Sequence, residues 1–120
     1  FYQQALGARL EFMMRYKESP DPLPPEMVPP GNEDKIMHAS LQIGETLLMA
    51  CDDCSPGKRP FQGFSLSLAV KTPAEADKLY AALADQGTVI MPLTKTFWSP
   101  RFGMLTDRFG VGWMVNVVDA

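Results

Sequence analysis

The stretch TPAEADKLYAALADQGTVIMPL, residues 72–93, contains a whole helix and the strand that leaves it. Thr72 is a natural N-cap, because its side-chain oxygen can accept a hydrogen bond from a backbone N–H that has no helical partner. Pro73 suits the first helical position, where no N–H is needed, and Glu75 completes a T-x-x-E capping box. Ala76, Leu79, Tyr80 and Leu83 recur at helical spacing and form one apolar stripe. Gly87 is expected to supply a left-handed stop. The apolar, β-branched run that follows, TVIMPL, reads as a strand.

The opening residues repeat this arrangement in miniature. FYQQALGARLEFMM, residues 1–14, and LYAALADQGTVIM, residues 79–91, share an aromatic start, small residues, a glycine and an apolar strand. The first copy reads as the end of a helix, a stop at Gly7 and a strand from about Arg9 to Tyr16. This internal duplication decides the architecture. By comparison with the second copy, the first module is expected to lack its N-terminal strand and most of its helix, roughly 20 to 30 residues.

The strands between these landmarks follow from alternation. KIMHASLQIGETLLMACD, residues 35–52, is two alternating runs around Gly44-Glu45, a hairpin. A two-residue turn there pairs Ser40 with Met49 and His38 with Cys51. Successive side chains of a strand point to opposite faces. His38, Ser40, Gln42, Leu47, Met49 and Cys51 therefore share one face, and Met37, Ala39, Leu41, Thr46, Leu48 and Ala50 the other, which is better suited to packing a helix. In GFSLSLAVK, Phe64, Leu66, Leu68 and Val70 oppose Ser65, Ser67 and Ala69. In TDRFGVGWMVN, residues 106–116, Asp107 and Gly110 read as turn residues. The strand after them sets Val111, Trp113, Val115 and Val117 against Gly112, Met114, Asn116 and Val118.

The chain is therefore read as α+β, with two βαβββ modules at residues 1–55 and 56–120. Each sheet has one apolar face for a helix and one mixed face, and two such curved sheets side by side would enclose a cleft. Residues 17–35, with six of the chain's eleven prolines, form a long extended loop. A lid over the cleft and a plain excursion are both consistent with its length.

Composition narrows the function. The 120 residues suffice for one domain-sized core. The net charge of −3 and the scattered basic residues give no basic stripe for nucleic acid. No apolar run is long enough to span a bilayer, and no signal-peptide pattern opens the chain. Cys51 and Cys54 stand in CDDC, which follows a strand and precedes SPG, a turn. With one histidine in the chain, a structural four-ligand zinc site cannot be completed within one subunit. A redox CxxC normally sits at a helix N-terminus. The pair is better read as two incidental thiols in a reducing compartment, which points to the cytoplasm.

The βαβββ duplication resembles the vicinal oxygen chelate superfamily, which includes the glyoxalase, bleomycin-resistance and extradiol dioxygenase proteins. KIMHASL, TFWSPRFG and TDRFG are similar to the PhnB-like branch, often labelled 3-demethylubiquinone methyltransferase-like, and the resemblance covers nearly the whole chain. The branch is of largely undefined function, and no glycine-rich S-adenosylmethionine site is visible. The resemblance also implies a divalent metal held by His, Gln and Glu side chains, two from each module. Its ligand positions fall near Met49, on or near Ser65, and near Met114 with Asn116 next on the same face; the fourth lies in the absent strand. Thioethers and a neutral hydroxyl are poor ligands for such ions. No metal and no cofactor are expected.

The candidate ligand-binding set is His38, Ser40, Gln42, Met49, Ser65, Ser67, Trp98, Arg101, Met114 and Asn116. His38 is the candidate catalytic residue, with Asp52 or Asp53 as its orienting acceptor; as a lone strand histidine it equally suits a structural role. Met49 and Met114 are core fillers or a soft apolar floor. An aromatic with an arginine, Trp98 with Arg101 or Arg108, suits an anionic ligand, although Trp98 and Phe102 also suit hairpin packing. Two functional classes follow. One is a metal-free protein that binds a small molecule. The other is an enzyme of lyase, isomerase or transferase type, working through a metal or through His38. A homodimer is expected in either case.

Overall fold

The computed structural model describes residues 1–55, 57 and 59–118. It divides into two compact units, Phe1–Lys58 and Arg59–Ala120, beside the expected division after residue 55. Pro56, in the expected SPG turn, lies outside the described residues.

The first unit runs helix, strand, strand, strand. Helix α1 (Tyr2–Leu6) ends at Gly7, whose φ of 65° is the left-handed conformation glycine adopts without strain. Strands β1 (Arg9–Arg15), β2 (Ile36–Ile43) and β3 (Thr46–Ala50) form an antiparallel sheet in the order β1-β2-β3. The β2–β3 turn is tight, with Ile43 opposite Thr46 and Gly44 at a φ of 59°. Ser40 pairs with Met49, as alternation requires.

The expected pairing of His38 with Cys51 does not form. The ladder ends at Ala39 and Ala50, because Asp52 captures the backbone of Ile36. Its amide donates to the Ile36 carbonyl at 2.9 Å, and its carboxylate accepts from the Ile36 amide at 2.7 Å. This shifts the chain out of register one residue early.

The proline-rich segment is a loop but not an extended one. Its ends continue the sheet through hydrogen bonds from Tyr16 N to Lys35 O and from Lys17 N to Glu33 O. Between them the chain folds into successive turns: the Pro24 carbonyl accepts from Met27 N and Val28 N, and the Pro29 carbonyl from Asn32 N. Proline lacks only the donor, so its carbonyl remains free to close such turns.

The second unit is a full βαβββ module: β4 (Leu66–Val70), α2 (Pro73–Ala84), β5 (Thr88–Thr94), β6 (Phe102–Thr106) and β7 (Gly112–Val117). The sheet order is β4-β7-β6-β5, with β4 and β7 parallel. Most of the buried apolar side chains lie here: Val70, Ala76, Tyr80, Leu83, Leu105, Trp113, Val115 and Val117. They join the α2 stripe to one face of the sheet. Gly103 gives α2 its seat. A Cβ there would lie 2.7 Å from the Tyr80 ring and 3.1 Å from Leu93. Tyr80 fills that notch, and its hydroxyl donates to the carbonyls of Met91 at 2.8 Å and Met104 at 3.1 Å.

The ends of α2 are partly as read. Thr72 Oγ1 accepts from Glu75 N at 3.2 Å, while the Glu75 carboxylate reaches Lys71 N and not the cap residue's own amide. The left-handed residue after α2 is Gln86, at a φ of 61°, and not Gly87. Gly87 is required for a different reason: a Cβ there would lie 2.2 Å from the Thr106 carbonyl oxygen. The glycine admits a neighbouring strand and does not reverse the chain.

Asp107 closes the β6–β7 turn from inside. It is 3% exposed. Its Oδ1 accepts from the amides of Phe109 at 2.9 Å and Val111 at 3.0 Å, and its Oδ2 accepts from Trp113 Nε1 at 2.9 Å. An asparagine at this position would turn its NH2 toward one of these donors whichever way it is placed. Asp107→Asn is therefore expected to cost about 1–3 kcal/mol, the usual penalty for a buried polar group left unpaired. The double variant with Trp113→Phe should be destabilised by less than the sum of the single variants in urea unfolding, because the two groups share one bond. Strict additivity would show that the carboxylate and the indole act independently.

Candidate functional site

In the first unit the mixed face is built on β2, the central strand. Cross-strand partners share a face, so Phe12 (opposite Ser40), Met14 (opposite His38) and Met49 (opposite Ser40) join His38, Ser40 and Gln42 there. His38 Nε2 lies 3.0 Å from Ser40 Oγ, and the Phe12 ring lies beside the imidazole at 6.0 Å between centroids. The expected orienting aspartates are engaged elsewhere. Asp52 binds Ile36 N, and Asp53 Oδ1 accepts from Ser55 N at 2.8 Å. Both are held by the local turn beyond the end of the ladder, which keeps them from the imidazole. Gln42 donates to the Gly44 carbonyl at 3.0 Å and so serves the hairpin. Met49 is 64% exposed and Phe12 46% exposed, giving this face an open apolar surface.

Cys51 is exposed and Cys54 half-buried, and both are free thiols. The Cys54 thiol forms a hydrogen bond with the Tyr16 hydroxyl that raises the tyrosine above its usual range, with burial contributing second. A shallow cavity of about 310 Å³ lies against the proline-rich loop, lined by Tyr16, Lys17, Asp21, Leu23, Val28 and Glu33 among others. It is a dent in the loop's own fold. Lys17 beside it is paired with Asp34 at 2.6 Å.

In the second unit α2 covers one face of the sheet and leaves the other open. Two rows of side chains cross this open face. Ser67, Met114 and Met104 are successive partners across β4, β7 and β6, and Ala69, Asn116, Phe102 and Thr94 form the next row. None of these side chains is ionisable. Met91 lies opposite Met104, but the β5–β6 register shifts on both sides of it, so the row proper holds two thioethers, Met114 and Met104, beside the row of Asn116 and Phe102. The Asn116 Oδ1 is buried and accepts no hydrogen bond among the described residues. Ser65 stands just before β4, its hydroxyl close to Gly112, where a Cβ would meet it at 2.9 Å.

Arg101 is not part of this face. It is ion-paired with Asp77 on α2, because alternation in RFGMLT turns it and Gly103 toward the helix and Phe102 and Met104 away. The expected clamp of Arg101 with Trp98 is therefore replaced by aromatic packing. Trp98 lies edge-on to Phe102 at 5.2 Å and to Phe97 at 4.8 Å. Arg108 pairs with Asp85 at 2.9 Å. Ser99, which the sequence reading passed over, holds this loop. It is 4% exposed, and its hydroxyl lies 2.7 Å from the Val117 carbonyl and 2.8 Å from that of Arg101. Met104 and Met91 were also passed over. Alternation in RFGMLT puts Met104 beside Phe102, but only strand pairing aligns it with Met114.

A four-stranded β4-β7-β6-β5 sheet with its helix on one face is one module of a known duplication, and the sequence profile agrees. The Glyoxalase/Bleomycin resistance protein/Dioxygenase superfamily profile matches residues 1–115. The chain belongs to this superfamily. It is 35% identical over 123 residues to Protein YjdN of Escherichia coli (strain K12), an alignment covering 98% of this chain and 84% of that protein. The crystal structure of protein PA1353 from Pseudomonas aeruginosa is 46% identical, with a TM-score of 0.81 over 99% of this chain and 85% of that one. A PhnB protein from Bacillus cereus, described as a candidate 3-demethylubiquinone-9 3-methyltransferase, is 26% identical with a TM-score of 0.75, covering 98% and 85%. The PhnB-like resemblance read from KIMHASL, TFWSPRFG and TDRFG thus has a structural counterpart.

The metal that the superfamily implies can be tested against the side chains at its expected positions. Met49 is paired with Ser40, and Met114 with Ser67 and Met104. Among the described residues, no three His, Cys, Asp or Glu side chains gather as a metal group. A donor set of thioethers and hydroxyls does not fit a hard or borderline divalent ion.

The unpaired amide gives a stability prediction. A buried acceptor without a donor costs about 1–3 kcal/mol. Asn116→Leu, nearly isosteric, removes the penalty and adds apolar contact with Phe102 and Met114. It is expected to raise the urea midpoint by an amount equivalent to roughly 1 kcal/mol with an unchanged slope. A lowered midpoint would mean that the amide has a partner in the folded protein.

Proposed function

We propose that this chain binds a small organic molecule on the mixed faces of its sheets, the surfaces that the sequence assigns to a cleft, without a metal as the anchoring group. The observation that carries this reading is the methionine row. Where the superfamily's metal ligand is expected, Met114 continues into Met104, with Phe102 in the adjacent row, an unbranched and polarisable floor that adapts to apolar shapes. Such a floor with a few polar groups is the usual composition of a small-molecule site. On the second sheet Ser67 and Asn116 supply those groups, and Trp98 beside Phe102 supplies an aromatic edge.

The protein acts in this reading as a binding or sequestering protein, and we propose a homodimer as its working form. Phe97 is 97% exposed and Trp98 51% exposed on a loop fixed by Ser99. Rigid exposed aromatics of this kind are suitable anchors for a second copy. The two free cysteines are compatible with a reducing, cytoplasmic setting. No described helix is long and apolar enough to cross a membrane.

A second reading, acid–base catalysis, rests on the 3.0 Å contact between His38 Nε2 and Ser40 Oγ. In it the imidazole would act as a base toward the hydroxyl. The Phe12 ring beside it and the engaged aspartates leave it without a carboxylate orienter, so the binding reading is favoured.

Calorimetry with amphipathic aromatic compounds should show saturable binding without turnover. Thermal unfolding with added zinc, nickel or manganese should move the melting temperature very little, because ligand stabilisation follows RT ln(1 + [L]/Kd) and requires a site. About one tightly held divalent ion per subunit in the purified protein would reject this reading. Turnover abolished by both His38→Ala and Ser40→Ala would establish the second.

A further inference from the structure

Among the described residues, Asn116 carries the buried side-chain polar atom on the open face of the second sheet that the fold leaves unanswered. Its neighbours across the strands are Ala69 and Phe102, and along its own face Met114. None of these can donate or accept a side-chain hydrogen bond of ordinary strength. The buried Oδ1 has no donor among the described residues. A primary amide in this setting presents one acceptor and two donors in a plane. What satisfies it is a group with a donor and an acceptor side by side on one flat edge.

The surroundings limit the charge of that group. The two rows Ser67–Met114–Met104 and Ala69–Asn116–Phe102–Thr94 contain no cation. The nearby arginines are committed to other sides: Arg101 to Asp77 and Arg108 to Asp85. A carboxylate placed on this face would be desolvated without a counter-charge, which is strongly unfavourable. A neutral edge avoids that penalty. The body attached to the edge is limited in the same way. Met114 and Met104 on one side and Phe102 with Trp98 on the other favour a flat, polarisable ring, through sulfur–aromatic and edge-to-face contacts.

We infer that Asn116 is the specificity-determining residue of this face, and that it reads a neutral lactam or carboxamide edge on a flat aromatic ligand. The amide of Asn116 accepts from the ligand's N–H and donates to its C=O, while the methionine row carries the ring. This rests on the small-molecule reading above but goes further, naming the ligand class and the residue that selects it.

The test uses pairs of probes that differ only at the donor: 2-quinolone and isoquinolin-1-one, each against its N-methyl form, titrated calorimetrically into the intact protein. A hydrogen-bonded edge lost by methylation should weaken binding by about tenfold or more, the scale expected when a buried polar partner is left unpaired. In Asn116→Leu the preference should collapse to about one, with the N-methyl forms bound as well as by the original protein. At equal probe concentration the Asn116 side-chain NH2 signals should shift further on adding the N–H probes than on adding the methylated ones, which keep the carbonyl but bind more weakly. Equal binding of both forms by the unaltered protein would overturn the assignment and leave the apolar-floor reading intact. Persistence of the preference in Asn116→Leu would also overturn it, placing the reader elsewhere. Binding of no probe at all would overturn both.

Discussion

A single buried carboxylate, that of Asp107, accepts hydrogen bonds from the backbone of Phe109 and Val111 and from the indole of Trp113, and so ties the last turn to the last strand. The consequence reaches beyond the turn. With the indole held under the sheet on the α2 side, alternation leaves Val115 and Val117 no choice but the same side. Met114 and Asn116 must then face the other way. Parallel pairing with β4 carries this choice to Ser67 and Ala69, and antiparallel pairing with β6 carries it to Met104 and Phe102. The open face of the second unit is in this sense set by one side-chain contact.

The helix side is fixed by a different constraint. Tyr80 settles into the space left by the missing side chain of Gly103, and its hydroxyl spans the carbonyls of β5 and β6. Burial raises this hydroxyl above the usual tyrosine range, and its one proton lies between the two carbonyls. One helix can cover only one face of a four-stranded sheet. The uncovered face therefore has to be either polar or occupied. Here it carries no ionisable side chain along two rows, and its few polar groups, Ser67, Asn116 and Thr94, stand among thioether, methyl and phenyl side chains; that is the physical basis for reading it as a binding surface.

The first unit has a weaker interior. Its buried apolar side chains are the small residues Ala5, Ala8 and Ala39, while Phe12, Met13, Leu47 and Met49 stay about half exposed or more. Polar contacts do much of the local ordering there. His38 meets Ser40, Asp52 holds Ile36 by both main chain and side chain, and Arg15 donates to the Asp34 carbonyl at 2.6 Å. Exposed pairs such as Lys17 with Asp34 add little, although the lysine does lower the Asp34 carboxyl below its usual range.

The sequence by itself determined the order of the elements, the hairpin at Gly44-Glu45, the Thr72 N-cap of α2 and the two-faced character of β2, β3, β4 and β7. These are local properties, set by alternation with period two, helical spacing and turn chemistry, and each is written within a dozen residues. The resemblance the sequence carries leads to the expectation that the superfamily's metal positions fall near Met49, Ser65 and Met114. Only the tertiary structure decided what depends on partners distant in the chain. Met104 and Met114 lie side by side because β6 and β7 pair in one register. Arg101 turns to Asp77 because a strand begins there with that parity. Asp52 and Asp53 are taken from His38 by backbone groups that no pattern reveals. Gly87 and Gly103 proved to be glycines of close approach, one against the Thr106 carbonyl and the other beneath Tyr80. The sequence shows that a side chain is absent at these positions, but only packing shows which neighbour needs the space.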